Sequence, residues 1–163
     1  MAEVGFLAYP SIRAVFYLKK LAKDRRPPSI VILLEKENGF FQEIKDICKK
    51  NKIKYVIAET SNINSTLVKN LLKKTTARYF VFSGGGILDK ESVSLKKFIH
   101  VHSGILPLYR GSTCIYYSIL EKNFCGASAF IMGEGIDTGD LIKARKFPNP
   151  TTRNIDAFFD NHI

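Results

Sequence analysis

Four short apolar runs constrain this chain most: Glu3 to Tyr9 (EVGFLAY), Ser29 to Leu34 (SIVILL), Lys54 to Ala58 (KYVIA) and Tyr79 to Phe82 (YFVF). A run that is apolar on both faces, as Ser29 to Leu34 is, suits a strand inside a parallel sheet with helices on each side. Helical periodicity fills the gaps between the runs. After Pro10-Ser11, the residues Ile12, Val15, Phe16, Leu18 and Leu21 share one face until Arg25-Arg26-Pro27-Pro28 breaks the helix. Gly39 opens a second helix carrying Phe40, Ile44, Ile47 and Cys48, and Leu67, Leu71 and Leu72 mark a third from about Asn64 to Lys74. A fourth helix is expected over Asp89 to Lys97, then a strand at Phe98 to His102 and an irregular stretch, Ser103 to Gly111, around Pro107. Past Gly111 a helix should reach about Lys122, followed by strands at Gly126 to Met132 and Leu141 to Phe147 and a helix begun near Thr151. This alternation predicts an α/β fold, a doubly wound, mostly parallel sheet of about seven strands that binds ligands at the strands' carboxyl ends.

No linker interrupts the 163 residues, so residues 1–163 read as a single domain. Twelve Phe and seven Tyr supply apolar surface for a core. Lysine and arginine exceed the acids by 25 to 15, a formal charge of +10 that attracts phosphates, nucleotides or nucleic acid without choosing among them. The pairs Lys19-Lys20, Lys49-Lys50, Lys73-Lys74 and Lys96-Lys97 fall near expected helix ends, where cations suit the helix dipole. Cys48, Cys114 and Cys125 are odd in number and widely spaced, which suggests neither a disulfide framework nor a zinc ribbon, and Cys114 and Cys125 read as small buried residues. With no signal-peptide pattern and no long apolar run, the expected setting is cytoplasmic, away from membranes.

Two loops draw attention. Tyr79 to Phe82 runs into Ser83-Gly84-Gly85-Gly86, whose exposed backbone would let a flat ligand approach closely. Gly133-Glu134-Gly135-Ile136-Asp137-Thr138-Gly139 joins the last two strands. His100 and His102, two apart on one strand, point to the same face, and an aspartate in a glycine-rich turn can orient and charge an imidazole. A His and Asp pair suits proton transfer.

The segments HVHSGILPLYRG and GASAFIMGEGIDTGDLI, with SGGGIL before them, resemble the signature of enzymes that use 10-formyltetrahydrofolate. That family includes tRNA, glycinamide ribonucleotide and sugar-nucleotide formyltransferases and a deformylase, and its pattern is Asn-x-His with Ser-Leu-Leu-Pro, then Asp-x-Gly. The resemblance implies a Rossmann-like formyltransferase fold and transfer of formyl from 10-formyltetrahydrofolate to an acceptor amine, without a metal. It implies catalytic roles for His102 and Asp137 in proton movement and oxyanion stabilisation. Gly85, Gly86, Ile87 and Leu88 match the pterin loop, and Gly133, Glu134, Gly135 and Ile136 flank the same pocket. Tyr109 and Arg110 are candidates for the acceptor side, Arg110 for a phosphate.

Three departures narrow this expectation. His100 stands where the family pattern has Asn, a neutral amide donor, so His100 joins the catalytic candidates. Tyr9-Pro10-Ser11 replaces a glycine-rich phosphate loop and disfavours glycinamide ribonucleotide as acceptor. The chain ends without the C-terminal β-domain of tRNA formyltransferases, so an amino sugar linked to a nucleotide ranks first as acceptor and methionyl-tRNA second. Alternatives are a formyltetrahydrofolate hydrolase, an inactive folate-binding homologue, and a metal-dependent hydrolase using His100, His102 and Asp137 as ligands. Oligomeric state is left open.

Overall fold

The computed structural model describes residues 3–149; the helix expected near Thr151 lies outside them. The chain forms two compact units, Met1–His100 and Val101–Ile163, with the boundary inside one strand.

The first unit holds β1 (Val4–Ala8), α1 (Ile12–Lys23), β2 (Val31–Leu34), α2 (Gly39–Lys50), β3 (Tyr55–Ala58), α3 (Thr66–Lys74), β4 (Tyr79–Phe82), α4 (Lys90–Leu95) and most of β5 (Lys97–His102). Its strands are all parallel, with β1 between β2 and β4, β3 beyond β2, and β5 beyond β4. The chain thus winds outward from β1 to β3, then returns to β4, so the order reverses between β1 and β4. That reversal is where such sheets open a crevice at their carboxyl ends. Ser83, just past β4, bridges it: its backbone N–H donates to Leu7 O (3.3 Å) and its Oγ accepts from Tyr9 N (3.0 Å). The glycines that follow therefore leave the sheet at its switch point.

The helices begin where short polar side chains cap them. Ser11, Asn38, Ser65 and Asp89 each accept a first-turn backbone N–H, from Ala14, Phe41, Val68 and Ser92. This is why α3 and α4 start later than apolar periodicity alone suggests. Helices α1 and α2 pack together over Phe6, Ala8, Val31 and Leu33, which are fully buried. Phe80, Phe82 and Phe98 form a second buried cluster, with Phe82 and Phe98 edge to face at 6.2 Å.

Asn64 anchors the loop after the glycines: its amide donates to Ile87 O and accepts from Asp89 N, both at 2.9 Å. Lys69, on α3, then bridges Asp89 and Glu91 at 2.7 Å each. The Lys69 ammonium, followed by the Ser92 N–H, holds the Asp89 carboxyl down to about 2, and the same ammonium lowers Glu91. Carboxyls depressed in the folded state stabilise above their unfolded values near 4 and lose that contribution as pH falls toward 2. Accordingly, Lys69→Met should lower the urea midpoint at pH 7, and its difference from the native chain should vanish near pH 2. An equal difference at both pH values would contradict this account.

The second unit contains the end of β5, α5 (Cys114–Lys122), β6 (Phe124–Met132) and β7 (Gly139–Pro148). Strands β6 and β7 form an antiparallel hairpin from Phe124↔Pro148 to Met132↔Gly139, with a register shift at Ala129/Phe130. Both run past their expected bounds, β6 back to Phe124 and β7 from Gly139 to Pro148, because backbone pairing across the hairpin continues to both ends whatever the side chains. Helix α5 starts only at Cys114, since Thr113 is left-handed (φ 64°). The α/β class and the seven strands are as expected. Among the described residues, no helix is long and apolar enough to cross a membrane.

Candidate active site

In the second unit, His102 ends β5 and is 6% exposed. Its Nε2 lies 2.8 Å from the Tyr109 carbonyl, which can only accept, so Nε2 carries a proton. Its Nδ1 lies 3.3 Å from Asp137 Oδ2. With the Nε2 proton committed to Tyr109 O, the contact between Nδ1 and Oδ2 is where a proton can be taken up or released. Asp137 is the more open partner, its side chain 15% exposed against 7% for His102.

The turn that presents Asp137 closes on itself. Gly133 N–H donates to Thr138 O (2.6 Å) and Gly135 N–H to Thr138 Oγ1 (2.9 Å), leaving Asp137 in the left-handed region (φ 48°). Gly111 N–H donates to Asp137 Oδ2 at 2.8 Å, which fixes that oxygen in place. Within the expected Gly133 to Ile136 segment, Glu134, Gly135 and Ile136 are exposed, Ile136 by 61%.

Residues that the sequence did not place in the site complete it. Cys114 Sγ sits 3.2 Å from His102 Nε2 and donates to Ser103 O at 3.0 Å. Burial above all, and then the Asp137 charge, push the Cys114 thiol up, so it stays protonated as expected of a buried cysteine. Gly104 makes the contact sterically feasible: a Cβ there would lie 2.9 Å from Cys114 Sγ and Tyr109 O and 3.0 Å from His102 Nε2. Ser128, fully buried on β6, donates to Gly104 O (2.7 Å) and accepts from Leu106 N (3.0 Å), fixing the chain just after His102. A lone polar residue on the buried face of GASAFIM was the available signal for Ser128.

Tyr109 uses its side chain inside this unit. Its hydroxyl donates to Glu121 (3.0 Å) and its ring meets Phe124 edge to face at 6.2 Å, while Arg110 is exposed. Among the described residues, no three His, Cys, Asp or Glu side chains are grouped to hold a metal.

In the first unit, His100 Nδ1 donates to Phe82 O at 3.1 Å, and its ring lies 5.7 Å from that of Phe82. A neutral ring that donates through Nδ1 has only a lone pair at Nε2. The glycine loop beyond β4 has Gly84, Gly85 and Gly86 all at positive φ. A Cβ on Gly85 would strike the Tyr9 ring at 2.4 Å, so only glycine fits there. Gly85, Gly86 and Ile87 are exposed while Leu88 is buried. The loop is thus a shelf of accessible backbone, suited to hydrogen-bonding the edge of a flat heterocycle.

No protein-family model matches the chain. It is 30% identical over 151 residues to a methionyl-tRNA formyltransferase of Clostridium acetobutylicum, covering 87% of this chain and 48% of that protein. The chain spans about half the length of the curated relatives it matches. A phosphoribosylglycinamide formyltransferase from Anaplasma phagocytophilum has a similar fold, with a TM-score of 0.78 at 17% identity, covering 98% of this chain and 78% of that one. A sugar N-formyltransferase from a Shewanella species gives 0.64 at 17% identity, over 91% and 58%. Motif, fold and sequence similarity agree, and the chain belongs to the folate-dependent formyltransferase family.

Proposed function

We propose that this protein transfers a formyl group from 10-formyltetrahydrofolate to an amine, with His102 and Asp137 moving the proton. The observation that carries the proposal is the His102 Nδ1 to Asp137 Oδ2 contact of 3.3 Å, made by the two residues that match the family motif. The donor supplies an electrophilic formyl carbon. The acceptor amine attacks that carbon and the bond from it to the folate N10 breaks; the His102–Asp137 pair takes the proton that the amine loses and returns one to the departing nitrogen through its more open member. Tyr109 O and Gly111 N–H hold the two side chains in register, so the proton moves without reorganisation of the site.

Gly85, Gly86, Ile87 and Leu88 are proposed as donor contacts through their backbone, which fits the exposed glycine shelf. The Gly133 to Ile136 segment keeps its proposed pterin role, and Arg110 is the proposed acceptor-phosphate contact. The relatives matched in sequence are named methionyl-tRNA formyltransferases, which moves methionyl-tRNA ahead of an amino-sugar nucleotide as acceptor. A cytoplasmic setting belongs to the same proposal, since the three cysteines are free thiols.

The test mixes protein and 10-formyltetrahydrofolate with methionyl-tRNA, with an amino-sugar nucleotide, or with water alone, and follows formylated product and released tetrahydrofolate. Amine-dependent release supports transfer. Release with water alone would replace it with a hydrolase, and donor binding without release would leave an inactive binder. His100→Asn is a second test. It puts back the neutral amide of the family pattern, so transfer should rise roughly fivefold, worth about 1 kcal/mol. Loss of activity would instead give the imidazole a role of its own.

A further inference from the structure

The first unit has a cavity at the end of its sheet opposite the glycine loop. Its volume is about 410 Å³, and it opens where β1, β2 and β3 begin and α3 ends. Ile30, Val56 and Leu71, all half-buried, give it an apolar floor. Lys54 and Lys74 stand exposed at its rim. Neither makes a salt bridge among the described residues, although Lys19, Lys20, Lys69 and Lys73 all do. The one acid in the lining, Glu3, is engaged by the Thr76 hydroxyl. Lys96, outside the lining, donates to Thr75 O at 2.9 Å.

We propose that this cavity binds a small molecule with an apolar body and a single anionic head, the body on Ile30, Val56 and Leu71 and the head between Lys54 and Lys74. The volume lies within the range that small ligands occupy. Charge selects the sign: two ammonium groups face one carboxylate, and a low-dielectric floor strengthens their field at the mouth. The carbonyl end of α3 offsets part of the field of Lys74. Lys54, on the strand side, has no such offset, and it is the stronger anchor. Simple solvation of the two lysines would keep both exposed but would give the cavity no preference between an anion and a cation.

Octanoate, octylammonium and octanol serve as probes of equal length and different charge, titrated into the ¹⁵N-labelled protein. Octanoate should shift the amides of Ile30, Lys54, Val56, Thr75 and Thr76, and should bind at least about tenfold tighter than the other two probes. The double variant K54E/K74E changes exposed side chains only. It should lose octanoate by about tenfold or more and gain octylammonium. No octanoate shifts up to roughly 10 mM, equal binding of all three probes, or unchanged octanoate affinity in K54E/K74E would each overturn the proposal.

Discussion

His102→Ala is expected to lower kcat/KM for formyl transfer by about a thousandfold, while the affinity for 10-formyltetrahydrofolate should change by less than about threefold. The variant removes the imidazole that faces Asp137 Oδ2 at 3.3 Å and changes no residue of the glycine shelf in the first unit. Asp137 keeps its hydrogen bond from Gly111 N–H but loses the ring nitrogen it faces. A buried imidazole also fills space, so part of any loss in the alanine variant could be structural. His102→Gln separates the two effects, because an amide can still donate to Tyr109 O yet cannot take part in proton transfer at Nδ1. Both variants should be equally inactive, with the glutamine variant close to native in its urea midpoint. Steady-state kinetics and equilibrium donor binding are the measurements. A glutamine variant with more than about a third of native turnover would remove His102 from the chemistry.

The strands of the first unit were legible because their signal is local. Tyr79 to Phe82 is four apolar residues between a helix and a glycine run, and β4 has those bounds. The glycine shelf was legible for the same reason, as three glycines after a buried strand have few structural uses. What could not be read was the order of the strands, which puts those glycines at the β1/β4 switch point; that follows from a crossover that no local pattern encodes. The hairpin strands were read too short, because β7 is exposed along most of its length and its pairing is made by the backbone.

The site shows the same division. His102 and Asp137 were found from a motif, and the structure brings them into contact. The protonated nitrogen of each histidine was not legible, since it is set by carbonyls from distant positions, Phe82 for His100 and Tyr109 for His102. Cys114 was expected to be buried, and it is, but its approach to His102 depends on Gly104, which is a glycine in an otherwise ordinary loop sequence. A contact made possible by a missing side chain leaves no mark in the residues that make it.

That missing side chain gives the second large effect. Gly104→Ala should lower kcat by about a hundredfold although it deletes no chemical group, since a displacement of ~1 Å at a reacting group costs that much. Its new Cβ would lie 2.9 Å from Cys114 Sγ, 2.9 Å from Tyr109 O and 3.0 Å from His102 Nε2. The backbone carbonyl is the stiffest of the three, because the chain after His102 is pinned by Ser128 to Gly104 O and Leu106 N. The imidazole therefore moves first, and its Nδ1 shifts relative to Asp137. Gly104 itself needs no special backbone angle, as it is absent from the positive-φ residues, so the loss reflects crowding and not strain. Cys114→Ala on its own should leave kcat within about threefold, because the thiol is only a weak hydrogen-bonding partner. Combined with Gly104→Ala, it should restore part of the lost rate by letting the ring relax into the space that Sγ vacates. The check is kcat for the two single variants and the double. Equal rates in Gly104→Ala and the native chain would mean that His102 tolerates displacement and that its position is not what the site is built to hold.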